Sequence, residues 1–75
     1  MRELVEYLAK SLVDNPDAVK VRESRSEYVT RVFLQVDPEE KGKVIGREGK
    51  IARAMRALVS AAAAREGRRG VLEID

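Results

Sequence analysis

The stretch that decides the fold is Lys43-Val44-Ile45-Gly46-Arg47-Glu48-Gly49-Lys50-Ile51. Its two glycines lie three residues apart, between an apolar dipeptide and a long run with helical periodicity. Because glycine lacks a Cβ atom and tolerates positive φ, the backbone at Gly46 and Gly49 can come close to a bulky group. The helix that follows directs unpaired N–H groups back at the same place, and Arg47 and Lys50 add positive charge there. The stretch therefore predicts an anion site, most simply a site for a phosphate.

The spacing of the glycines excludes two other phosphate-binding motifs. A Walker A loop requires G-x-x-x-x-G-K-[ST], but Val44 stands at its first glycine and Ile51 at its Ser or Thr position. A dinucleotide fingerprint requires G-x-G-x-x-G, and Val44 again stands at the first glycine. The pattern that remains is a G-x-x-G loop between two helices, which in KH domains clamps a nucleic-acid backbone.

Two helices are predicted on either side of this loop. Asp37 and Pro38 are typical of an N-cap and a first helical position, and this short helix ends by Gly46. The second helix begins near Gly49 and runs to about Glu66, with many alanines of high helix propensity. Its apolar face is predicted to comprise Ile51, Met55, Leu58, Val59 and Ala62, and its opposite face Lys50, Arg53 and Arg56.

The rest of the chain completes an α+β pattern. The predicted elements are a helix at 3–13, a weak strand at 18–25, a clear strand at 28–36, a loop at 67–70 and a short strand at 71–75. The clear strand alternates, with one face made of Tyr28, Thr30, Val32, Leu34 and Val36. The order α-β-β-α-α-β gives a hairpin followed by a right-handed crossover to a parallel strand. We expect a single domain over residues 1–75, in which three helices cover one face of a three-stranded mixed sheet.

The composition excludes most enzymatic and metal chemistry. The chain has no Cys and no His, which removes disulfides, thiol nucleophiles, histidine bases and nearly every zinc site. No carboxylate pair lies in an apolar setting, so we predict neither catalysis nor a cofactor or metal. No apolar run approaches the roughly 20 residues of a membrane span, the N-terminus lacks a signal-peptide core, and the absence of cysteine fits the cytosol.

Charge is distributed unevenly along the chain. The formal net charge is only +2, yet residues 41–69 hold nine cations against two acids, Glu48 and Glu66. The cations are Lys41, Lys43, Arg47, Lys50, Arg53, Arg56, Arg65, Arg68 and Arg69. This asymmetry predicts a molecule with one basic face, although a solvated helix face would give the same pattern.

The whole chain resembles one family of bacterial proteins. The resemblance rests on the segments Glu3–Pro16, Gly42–Lys50 and Ala61–Gly67 together with the element order. They resemble the small single-KH-domain RNA-binding proteins of the KhpA (YlqC) family, whose KH domain is of type II. The resemblance implies cytoplasmic binding of single-stranded RNA, and a homodimer or a heterodimer with a larger KH protein of the KhpB (Jag) type. It also implies a role as a post-transcriptional regulator or RNA chaperone, in some bacteria linked to cell elongation and division.

The resemblance also implies which residues contact RNA. The loop itself is Gly46, Arg47, Glu48 and Gly49, and Arg47 and Lys50 neutralise phosphates, with Lys43 and Arg53 nearby. An apolar floor for the bases is formed by Val44, Ile45 and Ala52. Arg68 and Arg69 flank the groove from the other side. The carboxylate of Glu48 would repel a phosphate, and the small Ala52 would make the groove shallow, so both predict modest affinity.

Simpler explanations remain open for several of these residues. Gly46 can serve only as a helix C-cap and Gly49 only as a turn glycine, while Arg53 and Arg56 can simply be solvated. Val44 and Ile45 are expected to lie partly in the core whether or not they contact RNA. Arg68 and Arg69 suit solubility as well as function. A KH-like module whose main task is dimerisation, through the helix at 3–13 or the alanine-rich helix, is the alternative to an RNA-binding protein.

Overall fold

The computed structural model describes residues 1–75 as a two-layer α+β fold. The helices are α1 (Arg2–Leu12), α2 (Lys41–Ile45) and α3 (Lys50–Ala64), and the strands are β1 (Lys20–Arg25), β2 (Val29–Gln35) and β3 (Arg69–Ile74). Short 3-10 turns precede β1, α2 and α3, at Pro16–Ala18, Pro38–Glu40 and Arg47–Gly49. The predicted order α-β-β-α-α-β is confirmed.

The sheet has the predicted mixed topology. Its strand order is β1-β2-β3. Strands β1 and β2 are antiparallel, with Val21 opposite Leu34, whereas β2 and β3 are parallel, with Val32 opposite Leu72. Since β3 pairs only with β2, its other edge is free.

The core lies between the sheet and the helices. Alternation along β2 buries Thr30, Val32 and Leu34, and Val36 just beyond it, as predicted. Tyr28 does not belong to this face: it precedes the strand and is 71% exposed. The other buried hydrophobic residues are Val5, Ala9, Val19, Val21, Val44, Ala52, Met55, Val59, Ala63 and Leu72.

The buried face of α3 is rotated from the predicted one. Met55 and Val59 are buried, but Ala52 and Ala63 accompany them in place of Ile51 and Ala62, and Leu58 is 47% exposed. The physical reason is close packing, because small side chains let the helix approach the sheet while larger ones lie at its flank. The prediction placed the large residues Ile51 and Leu58 on the buried face and so misplaced that face.

The third strand begins two residues earlier than predicted. Arg69 donates its backbone N–H to the Tyr28 carbonyl at 2.7 Å, which places Arg69 and Gly70 in β3 rather than in a loop. A Cβ atom on Gly70 would lie 2.5 Å from the Val59 carbonyl oxygen. The absence of a side chain at Gly70 therefore lets α3 come close to the sheet.

A buried carboxylate ties the end of α1 to the start of α2. Glu40 is 8% exposed and accepts hydrogen bonds from the backbone N–H groups of Asp14 and Asn15, the latter at 2.9 Å. The predicted cap at Asp37 is present, since its Oδ1 accepts from the Glu39 N–H at 3.0 Å. Together these contacts fix the direction in which α2 leads into the glycine loop.

Candidate nucleic-acid interface

The G-x-x-G segment is a tight turn whose backbone requires its glycines. Helix α2 ends at Ile45 and is capped by Gly46, whose N–H donates to the Gly42 carbonyl at 2.9 Å. The Gly49 N–H donates to the Gly46 carbonyl at 3.1 Å. Gly46 has φ 80° and ψ 170°, a region that is essentially restricted to glycine. Gly49 has φ 74° and ψ 15°, in the left-handed region. Gly46 is thus a helix C-cap as well as a position that no other residue suits.

Space around Gly46 is restricted by the next helix. A Cβ atom there would lie 2.7 Å from Cγ1 of Ile51 and 2.9 Å from its Cβ. Gly49 is more open, with only Nη1 of Arg53 3.6 Å from a Cβ position. Hence Gly46 lets the loop fold back onto α3, whereas the surface at Gly49 is available to a bulky ligand beside a guanidinium.

The loop holds one strained residue that is not glycine. Glu48 has φ 58° and ψ 22°, a left-handed conformation that costs a residue other than glycine roughly 1 kcal/mol. Its side chain is exposed, and none of the ion pairs of the protein involves it. The carboxylate therefore remains free to oppose a phosphate at the loop.

Three cations surround the loop without carboxylate partners. Arg47 and Lys50 are exposed at the loop and the first turn of α3, and Arg53 reaches back over Gly49. None of the three forms a salt bridge. No side chain caps the N-terminus of α3, so its first N–H groups add to a positive potential there. This end of α3 is suited to a phosphodiester backbone.

Lys43, unlike these three cations, forms ion pairs within the protein. Its Nζ lies 2.6 Å from Oδ2 of Asp14 and 3.8 Å from Oε2 of Glu40. The hydrogen bond that Lys43 donates to Asp14, together with the charges of both carboxylates, raises the pKa of Lys43 despite slight desolvation. A phosphate at Lys43 would have to compete with Asp14 for the ammonium group.

The predicted apolar floor is wrong for two of its three residues. Val44 is 0% and Ala52 is 3% exposed, because both point into the core beneath the loop. Ile45 is half-buried and keeps a surface. Ala52 is consequently part of the packing beneath the loop and does not set the depth of a groove.

Arg68 and Arg69 do not join the loop cations. They follow the C-terminus of α3, and a 15-residue helix is about 22 Å long. Arg68 is engaged locally, since it donates to the Ser26 carbonyl at 3.0 Å and to Oε1 of Glu66 at 2.8 Å. Arg69 is the first residue of β3 and is exposed on the face of the sheet away from the helices.

Two features of the surface lie outside the sequence-based prediction. Arg56 donates from Nε to the Leu72 carbonyl on β3 at 3.5 Å, so the exposed side of α3 continues onto the free edge of that strand. On the other side of α3, an apolar groove separates it from α1, lined by Leu8, Leu12, Ile51, Ala54, Met55 and Leu58. The only sequence signal for the groove is that α1 and α3 carry more large apolar residues than one core can bury.

Fold and loop together define the class of this protein. The order α-β-β-α-α-β, with a G-x-x-G turn between α2 and α3 and a mixed three-stranded sheet, is that of a type II KH domain. None of its helices has the length and apolar character needed to cross a membrane.

Comparison with known proteins agrees with this class. A family model described as the KH domain of KhpA and KhpB matches residues 2–74. Similar proteins are found in Caldanaerobacter subterraneus subsp. tengcongensis (53% identical over 74 residues, 99% of both chains) and in Clostridium perfringens (51% over 74 residues, 99% of both chains). A third, from Aquifex aeolicus, is 49% identical over 99% of this chain and 94% of its own. All three are named RNA-binding protein KhpA, and no solved structure matches the chain.

The chain therefore belongs to the KhpA/KhpB KH-domain family. This family is bacterial, as the resemblance implied, and non-catalytic, as the composition predicted.

Proposed function

We propose that this protein is a single KH domain, residues 1–75, that binds single-stranded RNA without catalysing a reaction. The observation that carries the proposal is the Gly46–Gly49 turn, which combines a glycine-only backbone with three unpaired cations. KH domains use such a loop to hold about four nucleotides by their backbone. The names of the relatives, each an RNA-binding protein, support the same function.

The residues divide into three roles in this proposal. Gly46 and Gly49 shape the loop, with Gly49 presenting the flat backbone surface to the sugar-phosphate chain. Arg47, Lys50 and Arg53 neutralise successive phosphates. Bases then lie along the exposed side of α3, beside Ile45 and toward the free edge of β3, whose unpaired backbone groups can hydrogen-bond base edges.

Sequence preference and affinity are both expected to be modest. Phosphate contacts carry no direct sequence information, and few exposed side chains near the loop can read bases. Glu48 opposes a phosphate, and Lys43 is held by Asp14. Both effects weaken binding relative to a loop with only cations.

In the cell we propose a cytoplasmic post-transcriptional regulator or RNA chaperone. Its expected partners are single-stranded RNA and a second KH chain, either a copy of itself or a larger protein of the KhpB (Jag) type. A connection to cell elongation and division follows from the same family resemblance. The membership in a family that includes both KhpA and KhpB domains supports this pairing.

Matched charge variants test the RNA site. Arg47→Gln should weaken binding of a short oligouridylate and lower the salt slope by about 0.7 for a lost phosphate contact. Glu48→Gln should strengthen binding, since it removes only the opposing charge. Arg65→Gln is the control, because it removes the same charge at the far end of α3. Fluorescence anisotropy at several salt concentrations measures all three, and equal effects of Arg47→Gln and Arg65→Gln would reject the loop as the site.

A second function, dimerisation, is favoured by the groove between α1 and α3. Its lining is almost wholly apolar, and Leu58, Leu4 and Tyr7 stand exposed on the same two helices at 47%, 39% and 71%. Clustered exposed apolar groups usually mark an interaction site. A second KH chain that covered this groove would lie beside Lys50, which lines the groove and is also one of the three loop cations.

Sedimentation velocity distinguishes dimerisation from RNA binding. Leu58→Asp should shift the protein toward monomer, while Ser60→Asp, exposed on a different side of α3, should not. If both variants and the wild type sediment identically, the groove does not hold a second copy.

A further inference from the structure

The face of the sheet opposite the helices is uncovered and carries charge in an ordered pattern. The alternation that buries Val32 and Leu34 directs the neighbouring side chains of all three strands outward. These outward residues are Lys20, Arg22, Ser24, Val29, Arg31, Phe33, Gln35, Arg69, Val71 and Glu73. Cations outnumber acids on this face, although the whole chain is nearly neutral.

The strand register arranges the four cations as a diagonal stripe. Lys20 lies opposite Gln35, Arg22 opposite Phe33, and Arg69 opposite Val29, while Arg31 is on the central strand itself. Each step along β2 is two residues, about 6.6 Å, so the stripe crosses the sheet over roughly 20 Å. This spacing suits successive phosphates of an extended strand better than it suits a compact anion.

Most of the stripe is free of internal ion pairs. Arg31 lies 3.8 Å from Oε1 of Glu73, with both side chains about half exposed. Lys20, Arg22 and Arg69 take part in none of the salt bridges of the protein. A face that served only solubility would not require its cations to lie in a line and to remain unpaired.

An aromatic ring lies beside the stripe. Phe33 is the single phenylalanine of the chain, and its ring lies under the Arg22 guanidinium, 5.4 Å from centroid to Cζ. A shallow depression at this position is lined by both residues together with Lys20, Gln35 and the acidic residues Glu73 and Asp75. Aromatic rings and guanidinium planes are the groups on which unpaired bases stack.

We propose that the outer face of the sheet is a second binding surface for single-stranded RNA, separate from the glycine loop. One base stacks in the depression on Phe33 and Arg22, with Gln35 able to hydrogen-bond its edge. The phosphates on either side follow the stripe from Lys20 toward Arg69. The surface assigns a role to Arg69 at a distance from the loop, and the proposal stands whether or not the loop binds RNA.

A single fluorine reporter tests the stacking directly. Incorporation of 4-fluorophenylalanine labels only Phe33, and its resonance is followed while a 12-nucleotide oligouridylate is added at low salt. The signal should shift saturably, both in the otherwise unchanged protein and in the Arg47→Gln variant. No shift at RNA concentrations that saturate the anisotropy signal would overturn the proposal. A shift that depends on protein concentration without RNA would assign the face to a second copy and would also overturn it.

Affinity supplies the second readout. Lys20→Gln with Arg69→Gln should weaken binding of the 12-nucleotide RNA at least about five-fold and lower the salt slope by about 1.4, that is 0.7 for each of two contacts. Lys10→Gln with Arg65→Gln removes the same charge away from the sheet face and should leave both quantities unchanged. Equal losses in the two double variants would overturn the proposal. An effect of the sheet variant without any effect of Arg47→Gln would instead reject the loop and keep this surface.

Discussion

At the scale of single residues, the glycines of this chain have different physical tasks. Gly46 is required by both its backbone conformation and the contact with Ile51, Gly49 mainly by its conformation, and Gly70 by contact with the Val59 carbonyl. The sequence motif predicted the positive φ at the loop, but nothing in the sequence revealed that Ile51 fills the space beside Gly46. This contact makes Gly46 a poor position for probing RNA binding, because a substitution there disturbs the fold first.

Alanine substitution at two glycines separates strain from contact. Gly67 has φ 74° with open space around it, and Gly46 has φ 80° with Ile51 inside contact distance. Gly67→Ala should lower the free energy of unfolding by about 1 kcal/mol, and Gly46→Ala by about 3 kcal/mol or more, since overpacking is added to a strained backbone. Urea unfolding measures both variants, and equal losses would contradict the close contact at Ile51.

Thr30 lowers the stability of the core because it buries a polar group there. Its hydroxyl is fully buried, and Oγ1 has no hydrogen-bond partner. Thr30→Val replaces this hydroxyl by a methyl group of similar size and should raise stability by about 1 kcal/mol, which is roughly 4–8 °C in Tm for a chain of this length. Thermal unfolding checks this. A lower Tm in Thr30→Val would mean that the hydroxyl is hydrogen-bonded in solution.

At the scale of elements, the sequence predicted existence and order better than faces and ends. The alternation of β-branched and aromatic residues with period two predicted β2. Asp37 and Pro38 predicted a helix start, which the structure places at the 3-10 turn Pro38–Glu40 just before α2. The face of α3 was misjudged because alanine carries little periodic signal, yet it is alanine that packs closest to the sheet. The end of the loop before β3 was misjudged because pairing with Tyr28, a contact distant in sequence, decides it.

The junction of α1 with α2 depends on Glu40. Loss of its carboxylate leaves the N–H groups of Asp14 and Asn15 without their acceptor in a partly buried place. Glu40→Ala should therefore cost about 2–4 kcal/mol, whereas the exposed Glu39→Ala should change stability by less than about 0.5 kcal/mol. Chemical denaturation of both variants provides the comparison. Similar small losses would show that Glu40 does not hold the junction.

The junction of α1 with β1 should be sensitive to pH. Burial raises the pKa of Glu23, but hydrogen bonds from the Arg25 side chain and the Arg2 N–H together lower it by more. The pKa of Glu23 therefore lies below the ordinary 4.5. Because the pKa is lower in the folded state, the ionised carboxylate stabilises the fold at pH values above its ordinary pKa. This contribution is lost as the pH falls through the folded pKa. Glu23→Gln should thus be less stable than wild type at pH 7, with the difference shrinking below pH 4.5. A difference that stays constant down to pH 3 would disagree with this account.

At the scale of the whole molecule, three surfaces are arranged around one small core. The glycine loop lies at the N-terminal end of α3, the apolar groove lies between α1 and α3, and the basic stripe lies on the opposite side of the sheet. The sequence predicted the loop, because its motif is local. It did not reveal the groove or the stripe, because each depends on which residues the topology brings side by side. The protein measures only 17 Å along its shortest axis, yet all three surfaces are exposed at the same time.

The most direct test of the RNA-binding loop is a nuclear magnetic resonance titration of the unmodified, 15N-labelled protein with a four-nucleotide single-stranded RNA. We predict that the largest amide shift changes occur at Gly46–Gly49 and in the first turn of α3, with smaller changes along the free edge of β3. Changes confined to other surfaces, with the amides of Gly46–Gly49 unmoved at saturation, would contradict the account.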